Sequence, residues 1–435
     1  MKNKKTIGST LSSASLTSGC TDANDETTPV SENCQYYPLP DGTLSIAVGT
    51  NKSLESLTIP ETHHGKMVTQ IADNGFANCI ALKQINLPDN INVIGKKAFS
   101  GCSSLSSIKI PNASVIGDSA FWLCSSLTSI VIPEGVPSIG KYAFSGCKSL
   151  TSATIPDSVT SIGYGAFSGC ESLASVVLTE GVTSIGKYAF YRCFSLTSVV
   201  IPEGVTSIGY GAFWDCESLA SVVISKGVTS IGEYAFSDCK SLISVVIPEG
   251  VTSIGESAFE GCFSLTSVTI PDSVISIGCG AFSGCSSLTS IVIPDSVTSI
   301  GDAAFQGCKS LTSVTIPDSV TSIGDGAFDG CSSLTSVAIP EGVTSIGEQA
   351  FSGCKSLTSV VIPDSVTSIG EFAFSYCSSL TSVVIPDSVT SIGLCTFAGC
   401  SSLTICCEAE TEPEEWDRFW NDSNRPVVWG YKSKP

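Results

Sequence analysis

Arginine is nearly missing from this 435-residue chain: it occurs three times, and charged residues of all kinds make up only 14%. Forty acids against 21 lysines and arginines leave a formal net charge of −19. That balance excludes a nucleic-acid surface, because a phosphate backbone is held by clustered Lys and Arg. It suggests instead a soluble surface that repels itself. No run approaches the roughly 20 apolar residues that span a bilayer, so a transmembrane segment is not expected. Histidine occurs only as the adjacent pair His63 and His64 in "ETHHGKMV", without a recognisable nucleophile or ligand set beside it. Paired C-x-x-C motifs are absent, which removes the usual zinc arrangement. Catalytic residues, a metal and a cofactor are therefore not expected.

What the chain does have is apolar residues (42%), 21 cysteines and one phrase copied many times. The motif A-F-x-x-C, varied as Gly75-Phe76 in the first copy, recurs fifteen times between Cys79 and Cys400. The spacing is 23 residues except for one step of 22, from Cys102 to Cys124, where "IPNASVIG" is one residue short. A fixed period of this length is the signature of a solenoid.

One unit shows how a rung is built. In "LTSVTIP" Leu311, Val314 and Ile316 follow L-x-x-L-x-L, and Val314 and Ile316 alternate with Ser313 and Thr315 as a half-buried strand requires. Pro317 has no N–H to donate and stops the ladder. "PDS" or "PEG" makes a turn, and Val320 and Ile323 return inward on a second short extended segment. Gly324 breaks that segment. "DGAFDGC" is then expected to form a helical turn burying Ala327, Phe328 and Cys331. Ordering one such unit costs more conformational entropy than its few apolar groups return, so only a stacked array is stable. Fifteen rungs about 4.8 Å apart make a rod or arc roughly 70 Å long.

The expected organisation is a leader or possible signal segment (1–35), an N-terminal cap (36–57), a solenoid of about fifteen rungs (58–404) and a C-terminal cap (405–435). The leader "MKNKKTIGSTLSSASLTSGCTDAND" reads two ways. Its basic start and small residues ahead of Cys20 suit a secretory or lipoprotein signal, with Cys20 lipidated. Its Ser- and Thr-rich middle, and Leu16 one place too far from Cys20, suit a flexible polar segment. At the other end "TEPEEWDRFW" reads as a short helix with Thr411 as N-cap, placing Trp416, Phe419 and Trp420 over the last rung.

The unit L-x-x-L-x-L-P-x-x-V-x-x-I-G-x-x-A-F-x-x-C resembles the leucine-rich repeats of the BspA-like surface proteins, from about Leu54 to Leu403. The flanking "IPETHHGKMVTQIADNGFANC" and "ICCEAETEPEEWDRFWNDSNRPVVWGY" are also similar to segments that border such arrays. The resemblance implies a right-handed leucine-rich-repeat solenoid of short parallel strands, displayed on or outside the cell and binding proteins of the host matrix or of other cells. It implies no catalytic residues. Alternative roles are a structural spacer or coat component, or a cytoplasmic interaction scaffold.

Candidate sites follow from the columns that repetition creates. The cysteine column puts thiols about 5 Å apart, too parallel for the near-90° disulfide torsion, and is expected to pack as small buried hydrophobes. Cys20, Cys34, Cys279, Cys395, Cys406 and Cys407 stand outside it, the last two vicinal. Acids such as Glu203, Glu249 and Asp318 follow the strands singly, as turn residues do; the alternative is a column that binds Ca²⁺ weakly, although each rung offers only one carboxylate. Outward valines such as Val200 and Val246 form a mildly apolar column. The strongest signal is where the copies disagree. Tyr142, Tyr164, Tyr188, Tyr210 and Tyr234 stand just ahead of A-F, and Trp122, Tyr191, Arg192 and Trp214 just after it. Later rungs hold mainly Gly, Ser, Asp and Glu in these slots. Aromatics with arginine are what contact surfaces favour, so these nine residues are the expected ligand-binding surface.

Overall fold

The computed structural model describes residues 33–111 and 113–432. They form a parallel β-solenoid of about 17 turns. The fifteen motif rungs are extended at one end by the antiparallel pair Cys34–Pro38 and Leu44–Val48, and at the other by Val427–Val428 beside Thr404–Cys407. Successive rungs stack in the register their period dictates. Ser290 pairs with Ser313 and Ile300 with Ile323, 23 residues on, and the short copy pairs Ile94 with Ile116. The second strands of the rungs join one 18-stranded sheet. The first strands divide into sheets of three, seven and seven, parted after Ser107–Ile108 and after Ser267–Thr269.

The alternation read from one unit decides what is inside. Val320, Ala327, Phe328, Cys331 and Leu334 are fully or almost fully buried, with Val314, Ile316 and Ile323 beside them. From Phe76 to Phe397 the motif phenylalanines stack in one column. Neighbouring centroids lie 5.2–5.8 Å apart and the rings stay within 13° of parallel. Period and ring thickness agree well enough for an offset stack to run through the whole core.

The helical turn expected over "DGAFDGC" is not there, and no α-helix occurs among the described residues. Alternate N–H groups leave the rung. Gly326, Phe328 and Gly330 donate to the carbonyls of Glu348, Ala350 and Ser352 on the next rung at 2.7–2.8 Å. The N–H groups of the residues that follow each of them, Ala327, Asp329 and Cys331, close tight turns onto Gly324, Gly326 and Phe328. A helix would need every N–H directed along its own chain. Gly326 and Gly330 instead take the left-handed conformation, with φ of 60° and 71°, which turns the intervening groups outward. The segment is a third hydrogen-bonded side of the rung.

The C-terminal helix is likewise replaced by turns between Pro413 and Asn424. Trp416 and Trp420 are buried and cover the last rung, with Trp420 edge-on to Phe397 at 6.2 Å. The Trp416 indole donates to the Val389 carbonyl at 3.2 Å and that of Trp420 to Glu412 at 2.8 Å. Phe419 does not join them. It is exposed, with the Arg418 guanidinium 4.4 Å from its ring centre. At the N-terminal end the ring of Tyr36 lies 3.7 Å from that of His63 and nearly parallel to it, pinning the hairpin Thr62–His63 and Lys66–Ile71.

Candidate functional site

Each rung brings two left-handed residues to its turn side, one just before the motif alanine and one just before the cysteine. Glycine fits such positions without strain, whereas an L-residue gives up about 1–2 kcal/mol there. Arg192, Asp215 and Asp238 occupy the second position in three consecutive rungs, with φ of 58°, 62° and 55°. That is the one stretch of the array where three rungs running put side chains there instead of glycine. Tyr142, Tyr188 and Tyr234 take the first position in alternate rungs, at φ of 56–57°. Between them Gly165 and Gly211 fill it, and Tyr164 and Tyr210 stand one residue earlier. The alternation has a steric cause. A Cβ on Gly165 would come within 2.9 Å of the Tyr142 ring, and one on Gly211 within 3.0 Å of the Tyr188 ring.

The result is a continuous aromatic run. Tyr142, Tyr164, Tyr188, Tyr210 and Tyr234 follow one another at 5.1–5.5 Å between ring centres. Tyr191 and Trp214 widen it, Trp214 lying 5.4 Å from Tyr191 and 5.3 Å from Tyr234. Eight of the nine residues singled out in the sequence are thus brought together. Trp122 is exposed but makes no ring contact with the others.

Polar groups frame the run. Arg192 pairs with Asp215 at 3.3 Å and its guanidinium sits 5.1 Å from the Tyr191 ring centre. Lys187 lies 5.8 Å from the centre of Tyr210. The Trp214 indole donates to Asp238 at 3.3 Å, and the Tyr234 hydroxyl to Glu256 at 3.1 Å. Burial, then the Tyr164 hydroxyl, raises the Tyr142 phenol above its usual range, and Tyr188 is raised in the same way by burial and Tyr210. These phenols stay protonated and available as donors. Burial, then the charges of Glu217 and Asp238, raises Asp215 in spite of Arg192.

The cysteine column is buried and every described cysteine is free. It is more than apolar packing. The Cys331 thiol donates to the Phe305 carbonyl at 3.2 Å, a group that already accepts the Cys308 N–H, and the contact repeats from Cys102 to Cys400. Burial raises the thiols from Cys124 to Cys354, those of Cys124, Cys308 and Cys354 to about 12. The vicinal pair is split by strand alternation, with Cys407 inside and Cys406 only half-buried on the opposite face. Cys20 lies outside the described residues. Among the described residues no three His, Cys, Asp or Glu converge as a metal site. No helix there is long and apolar enough to cross a membrane.

One feature was not foreseen from the sequence. Asp73, Asp118, Asp302 and Asp325, two places before the motif alanine or its equivalent, accept the backbone N–H of the next rung at 2.7–2.9 Å. Their signal was the recurrence of Asp in a slot otherwise held mostly by Lys, Tyr and Glu, with Cys279 and Leu394 once each. The valine column is real and exposed, Val200 pairing beside Val223, but it borders only shallow depressions such as the one of about 440 Å³ around Val246, Pro248 and Lys226.

The chain matches the family described as a BspA type leucine rich repeat region (6 copies) over residues 48–174, 160–289 and 275–404. No curated protein matches it. Among solved structures, a leucine-rich repeat protein from Bacteroides ovatus is 28% identical over 91% of this chain and 98% of its own, with a TM-score of 0.68. A leucine rich cell surface protein from Faecalibacterium prausnitzii is 28% identical over 94% and 100%, with a TM-score of 0.47. The pneumococcal vaccine antigen PcpA, 17% identical over 93% and 98% with a TM-score of 0.50, shares the fold.

Proposed function

The chain belongs to the BspA-type leucine-rich repeat family, and from that premise we propose that it is a cell-surface or secreted protein that binds other proteins and mediates adhesion to host matrix or other cells. Leucine-rich repeat folds generally serve as binding scaffolds without catalysis, and the reading assigns this chain no enzymatic activity. The observation that carries it is the aromatic run on the turn side. Before the cysteine, Arg192, Asp215 and Asp238 take the left-handed conformation in three consecutive rungs at a conformational cost that glycine avoids at this position in most other rungs, as Gly330 does. Tyr, Trp and Arg concentrated on one exposed strip are the residue types that dominate protein contacts. An acidic surface with no membrane-crossing helix among the described residues suits a protein displayed in water, held by a lipid on Cys20 or released.

The test pairs two variants. Tyr191→Ser with Trp214→Ser should lower binding of the purified protein to matrix proteins and to cells at least tenfold. Trp122→Ser, off the run, should leave it unchanged. Unaltered binding by the double variant, with its circular dichroism retained, would remove the strip from the binding surface. Cleavage and acylation at Cys20, read by mass spectrometry of the native N-terminus, reports the route to the surface, and an intact leader would count against it.

A further inference from the structure

The charges around the aromatic run are segregated along the rod. In the motif slots of the three rungs from Lys141 to Phe194 stand four bases (Lys141, Lys148, Lys187, Arg192) and one acid, Glu171. In the next three, from Tyr210 to Phe263, stand six acids (Asp215, Glu217, Glu233, Asp238, Glu256, Glu260) and one base, Lys240. A strip that is positive in one half and negative in the other is complementary to itself when turned end for end.

We propose that this strip is the interface of an antiparallel homodimer, its two-fold axis lying across the strip between the rungs of Lys187 and Tyr210. The inference rests on the reading of the run as a contact surface and names a second copy of this chain as its partner. A two-fold lying in the interface and across the rod sets each column of residues against itself in reverse order. The column two places before the motif alanine reads Lys141, Tyr164, Lys187, Tyr210, Glu233, Glu256. Reversed on itself, it places Lys141 opposite Glu256, Tyr164 opposite Glu233 and Lys187 opposite Tyr210. These are an ion pair, a phenol beside a carboxylate and an ammonium over a ring, each made twice by symmetry. In the column just after the cysteine the same axis sets Glu171 opposite Lys240, which are paired within their own chain to Lys148 at 2.9 Å and Glu217 at 2.7 Å, and it sets Lys148 opposite Phe263 and Phe194 opposite Glu217. Lys141, Lys187, Glu233 and Glu256 are exposed and the two tyrosines half-buried, so the column is open to a partner. Pairing through the turn side leaves both strand faces of each copy outward.

Within one chain Lys141 and Glu256 are five rungs apart, roughly 24 Å at the usual strand spacing. A zero-length carbodiimide cross-link between them therefore reports only a second copy. The full chain should sediment as a dimer at micromolar concentration, weaken as salt rises and yield the Lys141–Glu256 link in the dimer band. Glu256→Lys should weaken association at least about tenfold, because each substitution acts at both ends of the interface. Adding Lys141→Glu should restore it. A monomer at all concentrations, with the Tyr191 and Trp214 serine variants still losing other proteins, would overturn the dimer and leave the strip as a surface for a different partner. A dimer lacking this link and indifferent to both charge reversals would also overturn it. A monomer whose serine variants bind normally would defeat both the dimer and the strip.

Discussion

Two glycines six residues apart in one rung should respond very unequally to the same substitution. Gly324 lies against the preceding rung: a Cβ there would stand 2.6 Å from the Asp302 nitrogen and 2.7 Å from the Gly301 carbonyl carbon, where ordinary contact begins at 3.4 Å. Gly324→Ala must open that gap by about 0.8 Å, the difference of those distances. The opening breaks the Gly324 N–H bond to Ile300, now 3.1 Å, and loosens the Asp325 N–H bond to Asp302, now 2.9 Å. Leaving a buried N–H unmade costs about 1–3 kcal/mol, and separating packed faces by that much forfeits a quarter to a half of their dispersion contacts. The total is about 3–4 kcal/mol. Gly330 has room, its nearest neighbour for a Cβ being the Gly307 Cα at 3.7 Å. Gly330→Ala carries only the left-handed conformation, about 1–2 kcal/mol, offset by about 0.4–1 kcal/mol from a stiffer unfolded chain. Because long arrays do not unfold in two states, the assay is native-state hydrogen exchange across residues 300–352. Protection should fall by two to three orders of magnitude for Gly324→Ala and only about fivefold for Gly330→Ala. Equal losses would refute the account of tight backbone contact between rungs.

Native protein treated with an alkylating agent at neutral pH should react at exposed Cys279 while Cys331 and its column stay protected until the array is denatured; labelling of Cys331 at the rate of Cys279 would contradict the buried column. The N-terminal hairpin should loosen in acid. His63 lies below its ordinary 6.5, through burial first and then the neighbouring His64, so folding favours its neutral form. The stabilisation is full above pH 6.5 and is lost as pH falls below it toward the lower folded value. Exchange at residues 62–71, corrected for intrinsic rates, should therefore rise from pH 7 to pH 5, and His63→Gln should flatten the change; identical profiles would remove His63 from the cap's stability.

Period and alternation made the rungs, both strands and the buried Phe and Cys columns legible from a single unit, because side-chain direction in a strand follows from position alone. Where the turn side's N–H groups go was not legible. "DGAFDGC" has the apolar spacing of one helical turn, and nothing in that spacing distinguishes bonds along the chain from bonds to Ala350 one rung away. The left-handed positions are visible as Gly326 and Gly330 but concealed where Tyr188 and Arg192 occupy them. The aromatic run could be named residue by residue, since stacking at a fixed period makes same-slot residues neighbours. Trp122 fell outside it because no aromatic continues its slot into the next rung, where Ser145 stands.

Since every rung touches only the rungs above and below, the gene can gain or lose a 69-nucleotide unit by recombination between copies without any core contact being redesigned. The near-identical rungs beyond Gly278 are the place where this is harmless: one fewer shortens the rod by about 5 Å and alters little else. Between Lys141 and Glu256 the same event would delete a letter from a message that only reads correctly in reverse. On the proposed dimer, rod length tolerates change beyond Gly278, while between Lys141 and Glu256 the order of the rungs is what the interface requires.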